Sequence, residues 1–297
     1  MTNKKYDVVA LGELLIDFTE NGLSEQGNPL LEANPGGAPC NVLSMLQKLG
    51  DKTAFIGKVG NDGFGHLLTK AVQEQGIDTT GLVYDNDVHT TLALVLKKEN
   101  GDRDFAFYRN PGADMNLKEE EVNESLIASS SIFHFGTLSL TDESVKMATQ
   151  KAVKAAKENG LTITFDPNLR EPLWRSLEEA HEQVAWGLQQ ADVVKISDNE
   201  ITWFTGMDNY DEGIAFLQKE YPNLKLICLS MGGDGSKAVY RDIHVAYPAF
   251  LQEATIETTG AGDTFCACMI HTVLENGIDH LDEEKLKEML KFANAAA

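Results

Sequence analysis

The sequence predicts an α/β fold: three α/β/α layers around a mostly parallel central sheet, with a small β excursion on the side. Three observations carry this. From residue 131 onward, short β-branched runs alternate with amphipathic helical patterns, the signature of βα units. The runs themselves, such as YDVVALG and KLICLS, are short and apolar, as in strands buried on both faces. No repeat of fixed period and no low-complexity linker divides the 297 residues, so 1–297 reads as a single domain.

The first element, YDVVALG (6–12), is a buried strand ending in glycine. Residues 13–37 have irregular polarity and many turn residues, which suits short strands and no regular helix. APCNVLSMLQKLG (38–50) has apolar residues at helical spacing, with Gly37 and Pro39 at its entry and Gly50 at its stop. TAFIGKVG (53–60) is a strand, and DGFGHLLTKAVQEQG (62–76) a helix. Residues 81–108 alternate like strands, and ENGD (99–102) is the turn of an antiparallel hairpin. About 13–35 and 81–110 are therefore expected to form the β excursion, outside the main sheet.

The regular part follows. SIFHFG (131–136) is a strand, then a helix over 142–160, a strand LTITFDPN (161–168), a helix over 176–190 and a strand DVVKIS (192–197). Helices are expected near 198–205 and 210–220. KLICLS (225–230) is a strand, SKAVY and DIHVAYP form a closing strand pair, and helices cover 261–276 and roughly 283–295. The chain stops at KFANAAA, inside an apolar helical pattern, and more chain is expected beyond residue 297.

Charge and composition exclude several classes. The formal net charge is −21, a surface that repels nucleic-acid phosphates. Hydrophobic residues make up 42% and charged residues 24%, enough for a large core and unlike a disordered chain. Residues 1–12 are too short and too soon interrupted for a signal peptide, and no run approaches the ~18 apolar residues of a membrane span. A cytoplasmic protein is expected. Cys40, Cys228, Cys266 and Cys268 form no Cys-x-x-Cys pair, which suits buried free thiols and no zinc site.

Four stretches carry candidate chemistry. The first is ETTGAGDTFCACMI (257–270). Gly260-Ala261-Gly262 ahead of an apolar helix lets backbone N–H groups surround a phosphate or a developing oxyanion. Asp263 reads either as a helix-capping acid or as a base beside that anion site. The stretch is no Walker P-loop, since no Gly-Lys-Ser/Thr follows, and no Gly-x-Gly-x-x-Gly follows the first strand. The second stretch is NPGGAPCN (34–41), where Gly36 and Gly37 precede a helix and Asn41 lies a turn inside it. It is a loop and helix start, or, with Asp17, a site for sugar hydroxyls. The third, FDPNLREPLW (165–174), places Asp166, Asn168 and Arg170 after a strand, where open α/β sheets bind ligands, unless it is only a structural turn. The fourth is KISDNEITWFTG (195–206), whose Glu200 is a first-turn helix acid or an organiser of Mg²⁺ waters.

These pieces, in this order, resemble the ribokinase-like (PfkB) carbohydrate kinases over essentially the whole chain. TTGAGDTF (258–265) is similar to the family's C-terminal signature, and GGAPCNVLSMLQKLG with AFIGKVGNDGFG to its N-terminal one. GGAPCNV, FAFYRNPGADM (105–115) and DPNLREPLW look most like fructokinases; 2-keto-3-deoxygluconate kinases share the Tyr-Arg and Asp-x-Asn-x-Arg elements.

The resemblance implies a ribokinase-like fold whose β excursion is a lid, ATP and Mg²⁺ as cosubstrates, and phosphorylation of D-fructose to fructose 6-phosphate. It implies Asp263 as catalytic base and the amides of Gly260, Ala261 and Gly262 as an anion hole. It implies Asp17, Gly36, Gly37, Asn41, Arg109, Asn168 and Arg170 around the sugar. Ser197, Ser230, Gly232, Gly235 and Asn294 would line the nucleotide site, and Glu200 would order Mg²⁺ through water. The family's Asn-x-x-Glu element stands here as Ser197-x-x-Glu200, and the acid before the Gly-Ala-Gly-Asp turn, often Asp, is Glu257. The family can bind a monovalent cation near that acid, so K⁺ is a further expected ligand. A homodimer through the lid is expected, since exposed sheet edges tend to be covered. A non-catalytic sugar- or nucleotide-binding protein is the alternative from another class, but it has no use for a base at Asp263.

Overall fold

The structure, a computed structural model, describes residues 4–97, 103–250 and 260–297. Its centre is a nine-stranded sheet. In chain order the strands of the first half are β1 (Tyr6–Leu11), β4 (Thr53–Gly60) and β5 (Asp78–Asp85). The second half supplies β8 (Ser130–Gly136), β9 (Thr162–Asp166), β10 (Val193–Ser197), β11 (Leu226–Ser230), β12 (Ser236–Tyr240) and β13 (Ile243–Tyr247). The spatial order is β13-β12-β11-β10-β9-β8-β1-β4-β5. All neighbours pair in parallel except β11–β12 and β12–β13, so the closing strand pair lies at one antiparallel edge.

Helices cover both faces, because the strands are apolar on both. One face carries α3 (Glu124–Ala128), α4 (Glu143–Glu158), α5 (Leu177–Gln190), α6 (Asp198–Thr205) and α7 (Tyr210–Glu220). The other carries α1 (Ala38–Leu49), α2 (Gly63–Glu74), α8 (Ala261–Asn276) and α9 (Glu283–Ala296). The period-2 rule is visible in β1, where Val9 and Leu11 enter the first core and Val8 and Ala10 the second. Phe135 of β8 contacts the rings of Phe133 and Phe165 and meets Trp186 of α5 edge-on. Burying each such ring stabilises the fold by about 1.5–3 kcal/mol. The buried side chains of α8 run from Phe265 to Ile270, as expected of a helix enclosed by α1 and α9.

A second sheet of four strands, order β3-β2-β6-β7, stands beside the first. It holds β2 (Leu15–Leu23), β3 (Pro29–Gly36), β6 (Leu92–Lys97) and β7 (Arg103–Tyr108). Strands β6 and β7 pair antiparallel, as the sequence predicts, and the expected ENGD turn lies outside the described residues. Residues 81–85 correct the expected boundary. They belong to β5, which runs parallel to β4 in the main sheet after the α2 crossover, and not to the excursion. Their alternating pattern is shared by both kinds of strand. What seats them is Gly81, where a Cβ would lie 2.8 Å from the Ile56 side chain and 2.7 Å from the Phe55 carbonyl. The short helix α3 falls in a stretch that has no periodic pattern long enough to read.

Candidate active site

Parallel strands deliver their last residues to one edge of the sheet. Gly136 of β8 pairs with Asp166 of β9, and Ser197 of β10 with Ser230 of β11. The N-terminus of α8 meets this edge. Gly260 caps it with φ +81°, a left-handed conformation that disfavours residues with a Cβ, and no side chain caps the helix. The first intrahelical bond runs from the Thr264 N–H to the Gly260 carbonyl at 2.8 Å. The amides of Ala261, Gly262 and Asp263 precede it and have no partner within the helix, so an anion site is available there.

Asp263 faces a cavity of about 280 Å³ between this edge and the second sheet. Its lining includes Glu13, Asp17, Gly37, Asn41, Asn168, Arg170, Lys195, Gly260 and Gly262. Asn41, one turn into α1, donates to Asp263 Oδ2 at 2.8 Å. Asn168 donates to Oδ1 at 3.4 Å. Burial raises the Asp263 pKa above the ordinary carboxylate value, against the Asn41 hydrogen bond and the charges of Lys195 and Arg170.

The Gly-Gly turn is shaped by close approach. A Cβ on Gly36 would lie 2.1 Å from Asp17 Oδ2, so only glycine leaves that carboxylate its place. Gly37 has φ +117°, and a Cβ there would lie 2.4 Å from the Glu13 carbonyl oxygen. The Glu13 carboxylate accepts the Ala38 N–H at 2.7 Å, fixing the start of α1. Asp17, on β2, is pushed up to about 6 by burial; Arg170 opposes this and Asp263 adds to it.

The Asp-Pro-Asn-Leu-Arg loop supplies the far wall. Asn168 sits at φ +42° and its N–H reaches Asp166 Oδ1 at 3.2 Å, an Asx-type turn that aims its amide at Asp263. Arg170 Nη1 donates to Asn168 Oδ1 at 2.7 Å and to the Leu169 carbonyl at 3.1 Å. Beneath the loop lies a group that motif reading passes over. Lys195, in the middle of β10, is buried, and its ammonium lies 3.2 Å from Asp166 Oδ2. The available signal was a lysine inside the run VVKIS, where every other side chain is apolar or terminal. Glu13 likewise interrupts an apolar run.

Several expected site residues are placed elsewhere. Arg109 is buried away from this lining: Nε donates to Asp114 Oδ2 at 2.8 Å, Nη1 to Thr141 Oγ1 at 2.8 Å and Nη2 to the Leu138 carbonyl at 2.9 Å. Its guanidinium is engaged by internal partners, and the one nearest the cavity is the carbonyl of Leu138, which lines it. Glu200 closes a capping box on α6. Its Oε2 accepts the Ser197 N–H and hydroxyl, each at 2.8 Å, and its Oε1 accepts the Leu169 N–H at 2.7 Å. Glu200 and Ser197 thus hold the loop bearing Asn168 and Arg170. Among the described residues no group of three or more His, Cys, Asp and Glu side chains is arranged to hold a metal.

Ser230, at the end of β11, and Gly232 and Gly235, in the β11–β12 turn, lie further along the same edge. Gly232 and Gly235 have φ of +51° and +92°, and a Cβ on Gly235 would lie 2.2 Å from the Tyr247 carbonyl. Asn294, on α9, accepts from Ser236 Oγ at 2.8 Å and donates to the Tyr247 and Pro248 carbonyls, each at 3.1 Å. Both of its amide hydrogens are thereby engaged within the protein, next to the β13 end. Glu257 lies outside the described residues.

Known proteins are similar to this chain in sequence and in fold. The chain is 41% identical over 291 residues to a probable fructokinase-2 of Arabidopsis thaliana, covering 97% of this chain and 88% of that protein. It is 41% identical over 290 residues to fructokinase-1 of Zea mays, covering 97% and 89%. Among solved structures, a fructokinase from Xylella fastidiosa superposes with a TM-score of 0.87 at 29% identity, covering 97% of this chain and 90% of that one. The same enzyme with bound ATP matches equally well, with a TM-score of 0.87 at 28% identity and the same coverage. The family model described as pfkB family carbohydrate kinase matches residues 5–297. With one family spanning the chain from its first strand to its last helix, and the same fold in its solved relatives, this protein belongs to the pfkB family of carbohydrate kinases.

Proposed function

We propose that this carbohydrate kinase is an ATP-dependent fructokinase, making fructose 6-phosphate from D-fructose. The observation that carries the reading is the Asp263 carboxylate, held by Asn41 and Asn168 at the mouth of the α8 N-terminus and facing a cavity lined by Asp17 and Arg170. The resemblance to plant fructokinases supports fructose as the sugar, and the ATP-bound structural relative supports ATP as the donor.

In this reading the sugar lies between the second sheet and the sheet edge. Asp17 and Asn41 take its hydroxyls, with Gly36 and Gly37 allowing close approach. The hydroxymethyl oxygen attacks the γ-phosphorus, and its proton passes to Asp263. The bond to the bridging oxygen breaks and ADP leaves with the electron pair. The amides of Gly260, Ala261 and Gly262 stabilise charge on the equatorial oxygens. Ser230, Gly232 and Gly235 flank the nucleotide. Glu200 would hold Mg²⁺ through water, using lone pairs left beside the capping bonds, and the ion would offset charge on the ATP phosphates. The second sheet acts as a lid that keeps water, a competing acceptor, from the phosphoryl group. A sugar panel with ATP and Mg²⁺ tests the reading: fructose is expected to be phosphorylated with the highest kcat/KM, and preference for ribose, a nucleoside or a 2-keto sugar acid overturns it.

Arg170 favours one second reading, a 2-keto-3-deoxygluconate kinase, because a guanidinium in the lining suits a substrate carboxylate. Asp17 weighs against it, since two anions would then share one partly buried cavity.

Asp17 sets a pH dependence. Its pKa of about 6 means that the carboxylate accepts from sugar hydroxyls above that pH and loses this capacity as pH falls through it. The kcat/KM for fructose is therefore expected to drop on the acid side of about pH 6, with KM rising. In Asp17→Asn this rise of KM toward acid should vanish; if it persists unchanged, another group is responsible.

Two further readings complete the proposal. Strand β3 is an edge of the second sheet, and its Leu30 and Leu31 are exposed, as is Leu23 at the end of the adjoining β2, a surface suited to a second copy of this chain. Sedimentation is expected to give a dimer at micromolar concentration, and a monomer counts against it. The four free, buried cysteines suit the reducing cytoplasm, which cell fractionation checks; among the described residues no helix is long and apolar enough to cross a membrane.

A further inference from the structure

Lys195 is the group that the proposed chemistry leaves without a role. An ammonium in a parallel strand, buried on both faces, is rare because removing a charge from water costs several kcal/mol by order of magnitude. Its pairing with Asp166 accounts for part of this. Three further observations point into the cavity. First, Lys195 itself lines the cavity, and with Arg170 it supplies the two cations of that lining. Second, the ammonium stands against the anion-binding turn: a Cβ on Gly262 would lie 3.1 Å from Nζ. Third, an ammonium has three N–H donors, and its hydrogen bond here goes to Asp166 Oδ1 at 3.4 Å, with Oδ2 in ion-pair contact at 3.2 Å. Donor capacity remains on the side where Gly262 and Asp263 lie.

Charge makes the same point. Glu13, Asp17 and Asp263 put three carboxyl groups around the cavity. A phosphoryl group entering it needs opposite charge close by. Arg170 already spends Nη1 on Asn168 and on its own loop. Lys195 remains ionised: burial alone would lower its pKa, but Asp166 and Glu200 overcome that and raise it.

We propose that Lys195 is a catalytic residue of the phosphoryl transfer, its ammonium contacting the equatorial oxygens of the γ-phosphoryl group as that group passes from ATP to the acceptor hydroxyl beside Gly262. This rests on the kinase reading above. The step itself is unchanged: the acceptor oxygen bonds to phosphorus, ADP leaves with the bridging-bond electrons and Asp263 takes the proton. Lys195 transfers nothing. It offsets charge that spreads onto oxygens already facing the α8 amides.

A purely structural Lys195, present only as the counterion of Asp166, makes an opposite prediction, and a double-variant comparison separates the two. Lys195→Met alone strands a buried carboxylate and can unfold the protein. The informative pair is therefore Asp166→Asn against Asp166→Asn/Lys195→Met, with folding checked by circular dichroism and thermal melting. The added loss of Lys195 is expected to lower kcat by about 100-fold or more, the scale for losing one donor to a transition-state anion, with fructose KM little changed. Calorimetry with ADP, aluminium fluoride and fructose is expected to show weaker binding in the double variant, while fructose alone binds as before. If the double variant matches Asp166→Asn in both kcat and aluminium fluoride binding, Lys195 is only a counterion and the proposal falls. If wild-type protein phosphorylates no sugar, the kinase reading falls with it; if it does and Lys195→Met proves equally active, only Lys195 is misassigned.

Discussion

Asp263→Asn is expected to lower kcat for sugar phosphorylation by about 10²–10⁴-fold, the usual contribution of a positioned general base. The substitution removes a proton acceptor and little else. Asparagine has the same shape, and its carbonyl oxygen can still accept from Asn41, which lies 2.8 Å from Asp263 Oδ2. Fructose affinity should therefore stay close to that of wild type. Thermal stability should not fall, because burial already disfavours the charged form of Asp263. Steady-state kinetics with ATP and fructose, beside calorimetric fructose binding, would check this. Near-normal turnover would return Asp263 to the role of a first-turn helix acid and remove the basis of the mechanism.

The fold was legible wherever a single element decides its own form. Strands such as YDVVAL and LICLS, and α8 behind its Gly-Ala-Gly turn, announce themselves through composition and breakers. The cavity was legible where a motif carries its own geometry: Gly36 and Gly37 are required by contacts to Asp17 and Glu13 within the same local unit. It was illegible where a distant partner decides. The Asn41–Asp263 contact spans 222 positions; both residues lie in motifs and were singled out, but the hydrogen bond between them was not. Lys195 opens the KISDNEITWFTG stretch but was given no role there, and its meaning comes from Asp166 on the neighbouring strand and Gly262 on a helix. The internal bonds of Asn294 and Arg109 were illegible for a related reason: a residue's sequence position does not say which internal carbonyls or carboxylates take its hydrogen bonds. The 81–85 strand shows the same limit at the level of topology, since alternation does not say which sheet a strand joins.

Arg109→Met is expected to destabilise the protein by about 3–5 kcal/mol, the cost of leaving one member of a buried ion pair uncompensated. The guanidinium and the Asp114 carboxylate are each 2% exposed, and Nη2 lies 2.7 Å from Asp114 Oδ2. Asp114 also accepts the Thr91 hydroxyl, so losing Arg109 leaves a dry carboxylate with a neutral partner. The bonds to Thr141 and to the Leu138 carbonyl tie the end of β7 to the body of the molecule. Leu138 lines the cavity, so this tie is also the route by which the loss would reach the site. Urea unfolding would measure the change as a lower midpoint at similar slope. Arg109→Met/Asp114→Leu should recover part of the loss, because replacing a whole buried pair with apolar side chains is often near neutral. Kinetics then separate the two roles this arginine has been given. A sugar ligand would show a raised fructose KM at unchanged stability. An internal clamp would show reduced stability, with kcat and KM per folded molecule close to those of wild type, and the committed hydrogen bonds of Arg109 require the second result.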